Sequence, residues 1–242
     1  AETCSHPLAV KALKPEHRDD DEARERFLRE ARALQRIDHE NVVRIVGVGE
    51  KLGTPYAVME FIDGPDLGTL LLREGVLSTE RTLQFARGIA KGLVAIHDEN
   101  VIHRDLKPHN ILVAAGDRPV IADFGVARRA GGTRMTHTGH LVGTPAYMAP
   151  EQFTGESVTH AVDLFALGSI LYEMVSGGPP FPATDMLSLI RCVQQDEPEP
   201  LPADVPADLR AAIFRLLEKD PAARTPDASA LLEELATIPV PA

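Results

Sequence analysis

Apolar and polar positions along the chain recur regularly enough to divide it into elements. Leu8-Ala9-Val10-Lys11-Ala12-Leu13 reads as a short strand in which Ala9 and Lys11 share a face. Ala23, Phe27, Ala31 and Leu34 recur at spacings of three and four, which predicts a helix over 19–37 with one apolar stripe. The run Asp19-Asp20-Asp21-Glu22 stands at its front, where acids suit the helix macrodipole, and a solvated helix start is the preferred reading. Residues 42–48 and 56–61 read as two further strands around a turn containing Gly53. Asp63-Gly64-Pro65 is the first strong break. Ser78 then offers an N-cap, and Leu83, Ala86, Ala90, Leu93 and Ile96 predict a helix over 78–98. Residues 101–125 hold short apolar runs and turns, and 131–147 is a polar Thr/Gly-rich loop long enough to suspect a function. Helical patterning resumes over 159–176, with proline-rich stretches at 177–182 and 198–206. Two short helical patterns, 209–217 and 227–235, precede Ile238-Pro239-Val240-Pro241, which reads as the start of a linker. The chain shows no internal repeat.

Composition narrows the class. A chain of 242 residues suggests roughly one to two domains and can bury a core without disulfides or metals. Hydrophobic residues at 44% and charged residues at 25% fit an ordinary globular protein and exclude collagen-like or disordered chains. The 25 Lys and Arg against 36 Asp and Glu leave a net charge of −11, which argues against nucleic acid as a partner. Cys4 and Cys192 show no metal-ligand spacing, so a reducing, cytoplasmic setting is expected. The longest apolar stretch, 161–175, is broken by Asp163 and Glu173 and is too short and polar for a membrane span. No signal peptide is visible, and a leading Ala in place of Met is compatible with a piece excised from something longer.

The densest chemistry lies in His103-Arg104-Asp105-Leu106-Lys107-Pro108-His109-Asn110, followed by Asp123-Phe124-Gly125 and Ala149-Pro150-Glu151. These residue types suit phosphoryl transfer, which needs positioning and charge neutralisation more than covalent help. Asp105 can accept or orient the proton of an attacking hydroxyl, and Lys107 can offset charge on the transferred group. Asn110 and Asp123 supply hard oxygen ligands that suit Mg²⁺. Alone, Asp105 would read as a turn residue capping nearby amides; with Lys107, Asn110 and Asp123 beside it, that reading gives way.

With Ala9-Val10-Lys11 on a strand and Glu30 on the first helix, the set resembles the eukaryotic-like Ser/Thr protein kinases, most of all their bacterial branch. The likeness covers about residues 7–235. It implies ATP and Mg²⁺ as cofactors, an ion pair of Lys11 with Glu30 that forms when the helix is swung inward, and Met59 at the back of a nucleotide pocket beside Ala9. Glu60 to Ile62 would be the hinge whose backbone binds adenine. His103 and Phe124, with Leu34 and Ile45, would form a stacked apolar spine. Asp163 would take backbone amides of the catalytic loop, and Glu151 would pair with Arg224. Arg104 would await a phosphorylated loop residue, with Thr136 or Thr138 as autophosphorylation sites, Thr133 as a weaker one, and Thr144 contacting Asp105 and Lys107. Lys107 also points to Ser/Thr acceptors. The loop histidines His137 and His140 read as solvated.

One departure stands out. The family's G-x-G-x-x-G loop precedes the lysine strand, and the ten residues before Lys11 contain no glycine. A chain begun inside a longer kinase, strands supplied by another chain, and a kinase fold kept as a binding module all fit. The expected architecture is α+β: a truncated antiparallel sheet lobe over 1–62, a mainly helical lobe over 63–238, and a linker from 239–242. The expected activity is transfer of the γ-phosphoryl of ATP to Ser/Thr hydroxyls of proteins, its own loop included, a homodimer being compatible with the latter. A pseudokinase-like binding module is the alternative, and a small-molecule phosphotransferase of related fold ranks last.

Overall fold

A computed structural model describes residues 7–17, 20–124, 145–155 and 158–239. β1 (Leu8–Ala12), β2 (Ile45–Lys51) and β3 (Thr54–Glu60) form an antiparallel sheet in the order β1-β3-β2. Ala9 lies opposite Met59 and Lys11 opposite Ala57. Opposed residues of an antiparallel pair share a face, so the four make one patch. α1 (Asp21–Leu34) packs on β2 and β3 through buried Phe27, Ala31 and Leu34. Its cap is Asp20, whose carboxylate accepts from the Ala23 amide at 3.0 Å. The acidic run therefore begins the helix as expected, but the helix ends three residues short of Ile37.

Residues 41–43 fasten this sheet to the rest of the molecule. The Val43 amide donates to Ile121 O at 2.9 Å, the Ile121 amide to Asn41 O at 2.8 Å, and Asn41 Nδ2 to Pro119 O at 2.7 Å. At the break after β3, a Cβ on Gly64 would fall on the carbonyl oxygen of Val113. Glycine is what lets the chain pass there.

The larger part is helical: α2 (Leu67–Glu74), α3 (Thr79–Asp98), α4 (Glu151–Thr154), α5 (Ala161–Ser176), α6 (Met186–Gln195), α7 (Ala207–Leu216) and α8 (Ala228–Thr237). Ser78 caps α3 as expected, accepting from the Arg81 amide. α5 is buried on nearly every side and packs against α3 and α7, which makes it the axis of the core. Between α3 and α4 lies the hairpin of β4 (Ile111–Ala114) and β5 (Arg118–Ile121). α2 and α6 are additions to the sequence reading, which passed over both. The α+β class, a small antiparallel sheet beside a mainly helical body, is as expected. No helix among the described residues is long and apolar enough to cross a membrane.

Candidate active site

The turn between α3 and β4 carries the candidate chemistry. His103 is buried, and burial pulls its imidazole below its ordinary value. As a neutral ring it satisfies both neighbours: Nε2–H donates to Ala122 O at 3.1 Å, and Nδ1 accepts from the Asp105 amide at 3.3 Å. One side chain thus ties the backbone before Asp123 to the backbone of Asp105. The His103 and Phe124 rings lie 4.8 Å apart, with Leu34 and Ile45 also buried.

Asp105 Oδ2 accepts from Lys107 Nζ at 3.1 Å and from Asn110 Nδ2 at 3.3 Å, and Asn110 Nδ2 also reaches Asp105 O at 2.8 Å. The 3₁₀ turn Pro108–Asn110 brings Asn110 back over Asp105. With its amide nitrogen so used, Asn110 keeps its oxygen as a donor atom for a cation. Two backbone conformations mark the site: Arg104 at φ 63° and Asp123 at φ 53° are both left-handed. Non-glycine residues occupy that region only where neighbours hold them, and such residues cluster at functional sites.

Asp163 at the start of α5 supplies part of that hold. Its Oδ1 accepts from the Arg104 amide at 2.8 Å and its Oδ2 from the His103 amide at 2.8 Å, the partners anticipated for it. Sequence reasoning missed a third partner, buried His97, whose Nε2 lies 2.9 Å from Oδ2. It also missed Tyr147, which donates to Glu173 Oε2 at 2.6 Å, and the 2.8 Å contact of His109 Nδ1 with Asp66 Oδ1. In sequence these carry no local signal, because each partner sits on a different element. The buried Glu151–Arg224 pair is present and bidentate, at 2.7 and 2.9 Å.

Lys11 reaches across to the segment that follows β5. Its Nζ lies 3.2 Å from Asp123 Oδ1 and donates to Phe124 O at 3.1 Å, and it forms no ion pair with Glu30. Glu30 is half-buried, and burial pushes its carboxyl above the ordinary value against the pull of Arg104, Arg26, Arg29 and Lys11. Ala9 and Met59 face each other across β1 and β3, and Ile62 packs against the core. Glu60 Oε1 accepts from the Arg44 amide at 2.9 Å, which fixes the end of β3. Thr133, Thr136, Thr138 and Thr144, the loop histidines, Cys4 and 240–242 lie outside the described residues.

Asp123 and Asn110 offer a carboxylate and an amide oxygen beside Asp105, a donor set that fits a hard divalent cation such as Mg²⁺. Asp105, Lys107, Tyr147, Met148 and Gln152 line an adjoining cleft. The arrangement can hold a hydroxyl near a carboxylate while a cation neutralises negative charge close by.

The family model described as "protein kinase domain" matches residues 2–235. The chain is 39% identical over 225 residues to the serine/threonine-protein kinase PknA of Corynebacterium glutamicum, covering 91% of this chain and 48% of that protein. It is 40% identical over 221 residues to PknD of Mycobacterium tuberculosis, covering 90% and 33%. To PkaA of Streptomyces coelicolor it is 41% identical over 220 residues, covering 88% and 40%. The chain thus spans a third to a half of the length of these relatives.

Proposed function

The chain belongs to the protein kinase domain family, and on that premise we propose that it transfers the γ-phosphoryl of ATP to serine and threonine hydroxyls of proteins. The observation that carries this reading is the convergence of Lys107 and Asn110 on one oxygen of Asp105. In the step, the acceptor oxygen bonds to the γ-phosphorus, the bond to the β–γ bridging oxygen breaks, and ADP leaves. Asp105 orients the hydroxyl and takes its proton. Lys107 offsets charge on the group in transit. Asn110 and Asp123 would hold Mg²⁺, which supplies charge neutralisation at the phosphates when bound. Lys11, released from Asp123, would position the nucleotide, with Glu30 as its partner in the loaded state. Ala9, Met59 and the backbone of Glu60 to Ile62 would border the base.

Relatives named as serine/threonine kinases favour transfer over a binding module. Autophosphorylation at Thr136 or Thr138 would add charge that Arg104 can pair with, through charge-assisted hydrogen bonds. Presented with Mg-ATP and paired peptides differing only in Ser, Thr or Tyr at one position, the chain should phosphorylate the first two. Phosphorylation of the Tyr peptide alone, or of none, would contradict the reading.

A further inference from the structure

We propose that Gln152 is a positioning residue for Asp105, coupling residues 145–152 to the catalytic turn. The proposal rests on the phosphotransfer reading and deepens it.

Gln152 sits on α4, one residue after buried Glu151. Its Oε1 accepts from the Ala149 amide at 2.9 Å, while its own amide donates to Ala149 O at 3.0 Å. That reciprocal pair locks the side chain against residues 149–152. Its Nε2 then donates to Arg104 O at 3.0 Å. Only one orientation of the side-chain amide satisfies both contacts, since one partner is an N–H and the other a carbonyl.

Arg104 is the left-handed residue immediately before Asp105. Its backbone is held at both ends: Asp163 on α5 takes the N–H at 2.8 Å, and Gln152 on α4 takes the C=O. A disfavoured φ persists only where surroundings over-determine it. The peptide whose oxygen Gln152 holds is the one that leads into Asp105, so this bond sets how Asp105 is presented. Gln152 also lines the cleft with Asp105 and Lys107. Displacing residues 145–151 would therefore pull on Arg104 O through a single side chain.

Two variants separate the halves of the bridge. Gln152→Met removes both bonds, whereas Gln152→Glu keeps an acceptor for Ala149 N and loses the donor to Arg104 O. With Mg-ATP and a Ser/Thr peptide, both should lower kcat on the order of tenfold, the kind of loss a small misplacement produces. KM for ATP and melting temperature should stay at wild-type values. Retained kcat in Gln152→Glu, or a fall in kcat that follows a fall in melting temperature, overturns the proposal. Hydrogen–deuterium exchange reads the same coupling without turnover. Both variants should speed exchange in the peptide spanning 103–107 and leave α7 unchanged. Unaltered exchange in 103–107 overturns the proposal, whereas absent transfer by the wild-type chain sinks only the phosphotransfer reading beneath it.

Discussion

Asp163 performs no chemistry, yet three donors converge on its carboxylate from two elements. Burial alone would raise its pKa. The hydrogen bonds and field of His97 and His103 outweigh that and hold it below 3.8. A depressed carboxyl contributes its stability in full above 3.8 and loses it as pH falls through the folded value. Urea unfolding should therefore show stability dropping as pH falls below 3.8, and Asp163→Ala should lose that dependence along with about 3 kcal/mol near neutrality. Lys219 behaves oppositely. Its Nζ has no hydrogen-bond partner among the described residues and sits 3.7 Å above the Phe181 ring. Burial pulls its pKa from 10.5 to about 8, against Glu197 and Asp196. The charged form is thus penalised in the folded state, so stability should rise with pH between about 8 and 10.5. Melting temperatures across that window should climb for the wild type relative to Lys219→Met. A constant difference would contradict the assignment.

Among the elements, α5 organises the helical part, and the Glu151–Arg224 pair pins α4 to its start, since Arg224 Nη1 also donates to Ala161 O at 3.0 Å. Removing one member strands a buried charge. Glu151→Gln should cost about 3–5 kcal/mol, and the double change of Glu151 and Arg224 to Met should cost less than the two single changes summed. Equal additivity in chemical denaturation would mean the pair is not coupled. How far these elements could be read from sequence depended on pattern length. α1 and α3 were legible because a long apolar stripe repeats and an acidic or hydroxyl cap precedes it. α5 has apolar residues all round, so its length and apolar run identified it rather than any stripe. α2 was missed because its cap, Asp66, directly follows the Asp63-Gly64-Pro65 break and the helix is only 8 residues long, too short for its leucines to show a repeating stripe. α6 was missed between two proline-rich stretches. Within the site, Asp105, Lys107 and Asn110 were legible because one short turn holds them all. The partner of Lys11 and the bridging role of Gln152 were not, because chain folding alone brings those groups together.

At the scale of the whole molecule, one sheet carries the residues proposed to border the nucleotide, and one helical body carries the turn that holds Asp105. Residues 41–43 and the Lys11 contacts with Asp123 and Phe124 join them. On the proposed reading, which takes both Lys11 and Asp123 to the phosphates, nucleotide would draw Lys11 away from its contact with Asp123. The net charge of −11 sets the surface as a whole against polyanions and leaves Arg104 and Lys107 of the cleft as local exceptions. The most direct test of phosphoryl transfer is the intact mass of the chain after incubation with Mg-ATP, measured beside Asp105→Asn. Transfer that depends on Asp105 predicts mass increments of single phosphates in the wild type and none in the variant. Equal increments in both, or none in the wild type, would contradict it.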